Sequence, residues 1–142
     1  ITAGFADQAC REDAIALRGA WGNARFNIEI ADDAAEQQQG LMNRPFLPTS
    51  SGMLFVYDTP RSMSFWLRNT LIPLDMIFLD AAGVVQHIHH QAIPLDETAI
   101  TVNKALTSVL EINGGLAKRM GISVGSQAQH PSFDPALADW PC

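Results

Sequence analysis

The sequence predicts a mostly β domain of the α+β kind, a curved or barrel-like, largely antiparallel sheet with two short helices on its rim. Three observations predict it. Short stretches of alternating or continuous apolar residues recur along the chain. Turn residues punctuate them at short intervals, and only two stretches carry the chemistry of a helix start or stop. The 142 residues, 47% hydrophobic and 17% charged, fit one globular unit with a core of its own. Residues 14–130 are expected to form it, between an N-terminal arm (1–13) and an irregular, proline-bearing tail (131–142).

Ala14-Ile15-Ala16-Leu17-Arg18 alternates weakly and Phe26-Asn27-Ile28-Glu29-Ile30 cleanly, with turn residues at 19–23 between them. Together they read as a β-hairpin. Asp33 then caps a short helix, Glu36 three residues later completes a capping box, and Gly40 ends the helix. Pro45 and Pro48 mark a loop. A strand from Met53 to Tyr57 is expected to turn at 58–61 into another from Ser62 to Arg68, punctuated by Asn69-Thr70. Leu74 to Leu79 is nearly all apolar, as in a strand buried on both faces, and 80–83 turns it into Val84–Ile88. Two short β pieces follow, at Ile100–Val102 and Ser108–Ile112. Gly114-Gly115 leads into a helix over Leu116–Met120, stopped by Gly121, before a last strand near Gln127–Gln129.

Charge narrows the function. The net charge is −6 and the densest basic spot is Lys118-Arg119. That is no footprint for nucleic acid or for an anionic membrane surface. The longest apolar run is broken by Pro73 and Asp75 and is far shorter than the roughly 20 residues a membrane helix needs. Ile1 to Ala6 lacks the basic start and long apolar stretch of an intact signal peptide, and no initiator Met precedes it. A processed, exported and periplasmic protein is therefore the expectation, with a cytoplasmic one as the alternative. Cys10 and Cys142 lie near opposite ends, where a disulfide could tie down the tail in an oxidising compartment; the alternative is two unpaired thiols.

The middle of the chain carries a family resemblance. Gly40-Leu41-Met42-Asn43-Arg44, Gly52-Met53-Leu54-Phe55 and the run from Phe65 to Asp75 occur in order, followed by Val109-Leu110-Glu111, Gly114-Gly115 and Val124-Gly125. In these motifs, over about residues 24–129, the chain resembles the domain of unknown function 192 family. The resemblance implies a small β-rich domain of bacteria and archaea, often behind an export signal. It implies no agreed activity, so no catalytic residue is carried over. Leu67-Arg68 stands where that family usually has Met-Lys, Ser126 where an acidic residue is common, and Asp96–Lys104 also departs.

Two constellations could carry chemistry. Trp66, Arg68, Asn69, Thr70 and Asp75, with Arg44 and Glu111 as neighbours, offer an aromatic face beside amide, hydroxyl and carboxylate groups, suited to a polar small molecule or glycan. The structural alternative has Asn69 and Thr70 bonding their own turn, Trp66 filling core, and Asp75 and Glu111 each paired with a cation. His87 and His89 share a strand face at chelating distance, but spacing supplies no further ligands, and an exposed polar strand end explains them as well. The methionines are dispersed core filler, and Gly114-Gly115 is either a small anion nest or a plain turn. Neither a G-x-S-x-G, a P-loop nor a dinucleotide fingerprint is present, so no cofactor is expected.

The leading expectation is a non-catalytic binding module of the cell envelope. The rivals are a hydrolase or transferase using Asp75 and Glu111 as acid and base, and a protein–protein module offering a β edge or the tail.

Overall fold

The computed structural model describes residues 10–142; most of the expected N-terminal arm, residues 1–9, lies outside the described residues. The elements are β1 (Ala14–Gly19), β2 (Gly22–Ala31), α1 (Ala34–Gln39), β3 (Ser51–Phe65), β4 (Leu74–Leu79), β5 (Val85–Ala92), β6 (Ile100–Asn113), α2 (Leu116–Met120) and β7 (Gln127–Gln129). The seven strands form one sheet in the order β5-β4-β6-β3-β2-β1-β7. Every pair is antiparallel except β2–β3, which α1 and the following loop connect in parallel. This is the curved, mostly β architecture with two short helices that the sequence predicts.

The sheet curls into a half-barrel whose two ends meet at one corner. Val84 bridges Gln127, the Val85 amide donates to the Ser126 carbonyl at 2.8 Å, and the Ala128 amide donates to the Gly83 carbonyl at 2.8 Å. Since β7 is three residues long, only the start of β5 is covered in this way. Among the described residues, no helix is long and apolar enough to cross a membrane.

Three local expectations change. The strands expected at 53–57 and 62–68 are one strand, β3, paired along its length with a single long β6 in place of two pieces. Register shifts between Val56 and Arg61 and between Arg61 and Met63 absorb the turn-like residues 58–60 as an irregularity. Pro60 thus sits where the ladder makes no demand on an N–H. The strand stops at Phe65 rather than Arg68, because Asn69 adopts φ 55° and the chain from 66 to 73 is a loop. Finally, β5 runs on to Ala92.

Alternation divides the apolar residues into two cores. Leu17, Phe26, Ile77, Leu79 and Leu110 fill the concave interior of the half-barrel. Phe55, Leu74, Met76, Phe78 and Val109 face the other way, under Leu41, Leu47, Leu67 and Ile72 from the loops. Strand β4 therefore has no exposed side, which explains its unbroken apolar run.

The segments around residues 10 and 142 are tied to the same body. Cys10 and Cys142 are bonded, with their Cα atoms 5.7 Å apart across 132 residues of sequence. Residues 131–142 contain neither helix nor strand, yet Phe133 is buried in the interior core and Arg18 stacks 4.2 Å from the Trp140 ring centroid. His130 is buried where they meet. Its Nδ1 accepts the Ser132 amide at 3.0 Å, which leaves the Nε2 hydrogen to donate to the Glu12 carbonyl at 2.9 Å. Burial pushes its pKa below the ordinary value, so the ring is held neutral.

Candidate functional site

Asp33 caps α1 by accepting the Glu36 amide at 2.8 Å, and Glu36 returns to the Asp32 amide. At the other end Gly40 has φ 49°, and a Cβ there would lie 3.1 Å from the Phe55 ring. Glycine both ends the helix and lets its last turn rest on β3. Gln37 fixes the contact by donating to the Val56 carbonyl at 2.7 Å. Between this turn, β3 and the loop after it lies a cavity of about 270 Å³.

Its walls are aromatic. Phe55 and Phe65 meet edge to face at 5.5 Å, Tyr57 extends the wall along β3, and Trp66, 46% exposed, stands at the rim. Its other residues are Ser64 of β3, the end of α1 with the residues just after it, the loop residues Leu67 and Thr70, and Leu74 of β4; Glu111 of β6 supplies the one formally charged side chain.

Glu111 is 5% exposed, and among the described residues its carboxyl has no hydrogen-bond or ionic partner. Burial pushes its pKa up to about 8, so the group is largely protonated at neutral pH. The cationic partner that the structural alternative assigned to Glu111 is absent among those residues. Register explains why: Glu111 faces Met53 on β3 and Met76 on β4, neither of which can neutralise it. Tyr57 is near enough for its own pKa to be raised, first by burial and also by Glu111, against a lowering by Arg61.

The other predicted residues divide. Trp66, Thr70 and Glu111 share the cavity. Arg68 stacks over Trp66 with its guanidinium carbon 5.4 Å from the ring centroid, and Asn69 adjoins it in a neighbouring surface depression. Thr70 donates through its hydroxyl to the Arg68 carbonyl at 3.3 Å, and Asn69 accepts the Asn43 amide at 2.7 Å through its carbonyl, so both also build the loop. Arg44 lies elsewhere, forked onto Glu29, one bond of the pair measuring 2.8 Å. Hydrogen bonding from Arg44 holds the Glu29 carboxyl below the usual carboxylate range.

Asp75 is fully buried outside the cavity, and its partners are backbone amides rather than the arginine expected. One oxygen accepts Gln91 at 2.8 Å and Gly115 at 3.0 Å; the other accepts Ala117 at 2.8 Å. It fills from within the anion nest that Gly114-Gly115 suggested. Gly114 permits a close approach, since a Cβ there would lie 3.1 Å from Pro73 and force it to give way. Asp75 pairs in register with Ile112 while Glu111 pairs with Met76, so the two carboxyl groups project from opposite faces of the sheet. They cannot act on one substrate, and the acid–base pair drawn from sequence is corrected.

His87 and His89 line a second cavity with Asp96, whose rim includes Leu67 and Ile100. Burial is the largest cause lowering the His87 pKa, with His89 and Lys104 adding to it. Among the described residues no third ligand-bearing side chain groups with these two. The acidic trio that does group, Asp32, Asp33 and Glu36, is the exposed capping box of α1.

Sequence reasoning missed Tyr57, Phe65 and the α1 turn as parts of the site. The signal was present in part: Phe55 and Tyr57 are two apart on one strand and so share a face.

The family model described as DUF192, "Uncharacterized ACR", matches residues 16–130. A solved structure of a protein of unknown function from Novosphingobium aromaticivorans DSM 12444 is similar at 42% identity, with a TM-score of 0.79 over 81% of this chain and 82% of that one. A second, from Sinorhizobium meliloti 1021 and described as a candidate transcription regulator, is 35% identical, with a TM-score of 0.79 over 81% and 90% of the two chains. No curated protein matches the chain.

Proposed function

The chain belongs to the DUF192 family, which has no assigned activity, and from that premise we propose that it is a non-catalytic binding module for a small polar molecule. The ligand sits in the cavity over Glu111, against the Trp66 ring. The observation that carries this reading is the buried Glu111 carboxyl, lining a cavity and without a partner among the described residues. An unpaired buried polar group costs folding free energy, so its retention in a wall that holds neutral polar side chains but no cation is best explained by a ligand that completes it. A volume near 270 Å³ lies just below the usual range of about 300–1,000 Å³ for small-molecule sites, which favours a compact ligand over a long glycan.

One feature supports placing the protein outside the cytosol, in the periplasm or another oxidising compartment: both of its cysteines, Cys10 and Cys142, are taken up in one disulfide. The regulator description of the Sinorhizobium protein finds little support here, because a net charge of −6 offers phosphate backbones no basic stripe.

The test is a thermal-shift screen of wild type against Trp66→Ala, using sugars, cell-wall fragments, amines and nucleotides. A ligand that raises the wild-type melting temperature by about 5–10 °C at a hundredfold excess over its Kd, and fails to do so in a folded Trp66→Ala protein, supports the reading. An equal shift in both proteins refutes the site.

A further inference from the structure

Resting on that binding reading, the lining of the cavity specifies the charge of what it holds. Glu111 is its one carboxylic acid, and among the described residues no Lys, Arg or His lines it. The remaining side chains around the carboxyl are aromatic, aliphatic or neutral polar. Phe55, Phe65, Tyr57 and Trp66 present ring surfaces, and rings of this kind attract cations through their quadrupoles. Two of them already do so within the chain: Arg68 lies over Trp66 at 5.4 Å, and Arg61 over Tyr57 at 5.0 Å. A carboxylate buried among such rings lacks only N–H donors and a positive charge. A primary ammonium supplies both, with up to three donors on one compact head.

We propose that the cavity takes a small primary amine in its ammonium form, its nitrogen on the Glu111 carboxylate and its carbon chain against Phe65, Tyr57 and Trp66. The small volume limits that chain to a few carbons. The proton balance is simple. The free carboxyl carries a proton at neutral pH, the bound one does not, and the proton passes to solvent as the ammonium enters. The groups facing Glu111 leave this titration to it alone. From β4 these are Leu74 and Met76, from α1 the uncharged Gln37, Gln38 and Gln39, from the loop Trp66 and Thr70, and from β3 Met53, Phe55 and Tyr57. Tyr57 is the one other titratable group among them, and its pKa is raised above the usual phenol value.

Titrating the intact protein with butylammonium chloride and, separately, with 1-butanol and glucose tests this. Amide NMR shifts locate binding, and calorimetry in two buffers of different ionisation enthalpy counts protons. Butylammonium is expected to shift amides at 37–41, 65–66 and 111. Its affinity should fall about tenfold per pH unit below pH 8, with close to one proton released at pH 6.5 and almost none at pH 9. Glu111→Gln should weaken it at least tenfold at pH 8.5. The pH profile and proton count need no variant, so a Glu111→Gln protein that folds poorly does not remove the test. Binding of 1-butanol or glucose in the cavity, with butylammonium no tighter, overturns the amine assignment and leaves the binding reading standing. Cavity amides unmoved by all three probes overturn both.

Discussion

Asp75 and Glu111 stand on adjacent strands, one register step apart, and face opposite sides of the sheet. Their solvation differs as much as their direction. Asp75 is a buried carboxylate met by three backbone amides, whereas Glu111 is a buried carboxyl met by none among the described residues. The first is architecture, tying the start of α2 and the end of β5 to β4. The second belongs to the cavity.

Removing the Asp75 carboxylate leaves three amide donors without an acceptor. Asp75→Ala should therefore cost about 3–5 kcal/mol of stability, and Asp75→Asn, which keeps one carbonyl oxygen, about 2 kcal/mol. Urea unfolding measures both. A loss under about 1 kcal/mol in Asp75→Ala would show that water replaces the carboxylate with ease.

Glu111 gives stability a pH dependence of the opposite sign from ordinary carboxylates. Its pKa is about 8 in the folded chain against an ordinary 4.5, so the folded state binds more protons between those values. The stability it permits is whole below pH 4.5 and falls as pH rises towards 8. Glu111→Gln mimics the protonated form. It should raise the melting temperature by about 5–10 °C at pH 9 and change it little at pH 5. Equal effects at the two pH values would contradict the buried, unpaired carboxyl.

His130 works the other way. Its folded pKa is lowered, so the contribution of the neutral ring is present above about 6.5 and is lost as pH falls through the folded value. Protonation also sets Nδ1–H against the Ser132 amide it now accepts. In a Glu111→Gln background, where the opposing trend is gone, stability should drop between pH 7 and pH 5. Adding His130→Asn should flatten that slope. Chemical denaturation at the two pH values checks it, and an unchanged slope assigns the dependence to another group.

Reduction of Cys10–Cys142 should lower stability by about 2–5 kcal/mol, since the bond closes a loop of well over a hundred residues. Thermal melts with and without reductant read this, with the Cys10→Ser, Cys142→Ser double variant as control. A melting temperature indifferent to reductant would mean that the terminal segments hold without the bond.

Much of this fold is legible in the sequence because its signals are local. The alternation from Phe26 to Ile30, the Asp33–Glu36 box, the apolar run of β4 and the Gly121 stop each depend on residues a few positions apart. What is not legible depends on partners far away. The stretch 58–60 looks like a turn until β6 is alongside to hold β3 through it. Glu111 is conspicuous in the apolar run 109–112, but which face it takes, and that Met53 and Met76 flank it, follow only from strand register. Asp75 looks like half of an ion pair because the sequence, though Gly114-Gly115 hints at an anion nest, does not show that a residue some 40 positions earlier fills it, with the amides of residues 91 and 117 added.

The Cys10–Cys142 bond also alters what a cut can do. From Cys10 to Cys142 the backbone and the disulfide make a covalent circle, so a protease nick at the bend of the exposed Ile93 and Leu95 would linearise the molecule without dividing it. Its two pieces would migrate together until reductant is added. By the same topology, residues 10 and 142, with Cα atoms 5.7 Å apart, could be linked by a short peptide and the backbone opened instead at that bend. The order in which the strands are met along the backbone would then change while the sheet they build stayed the same.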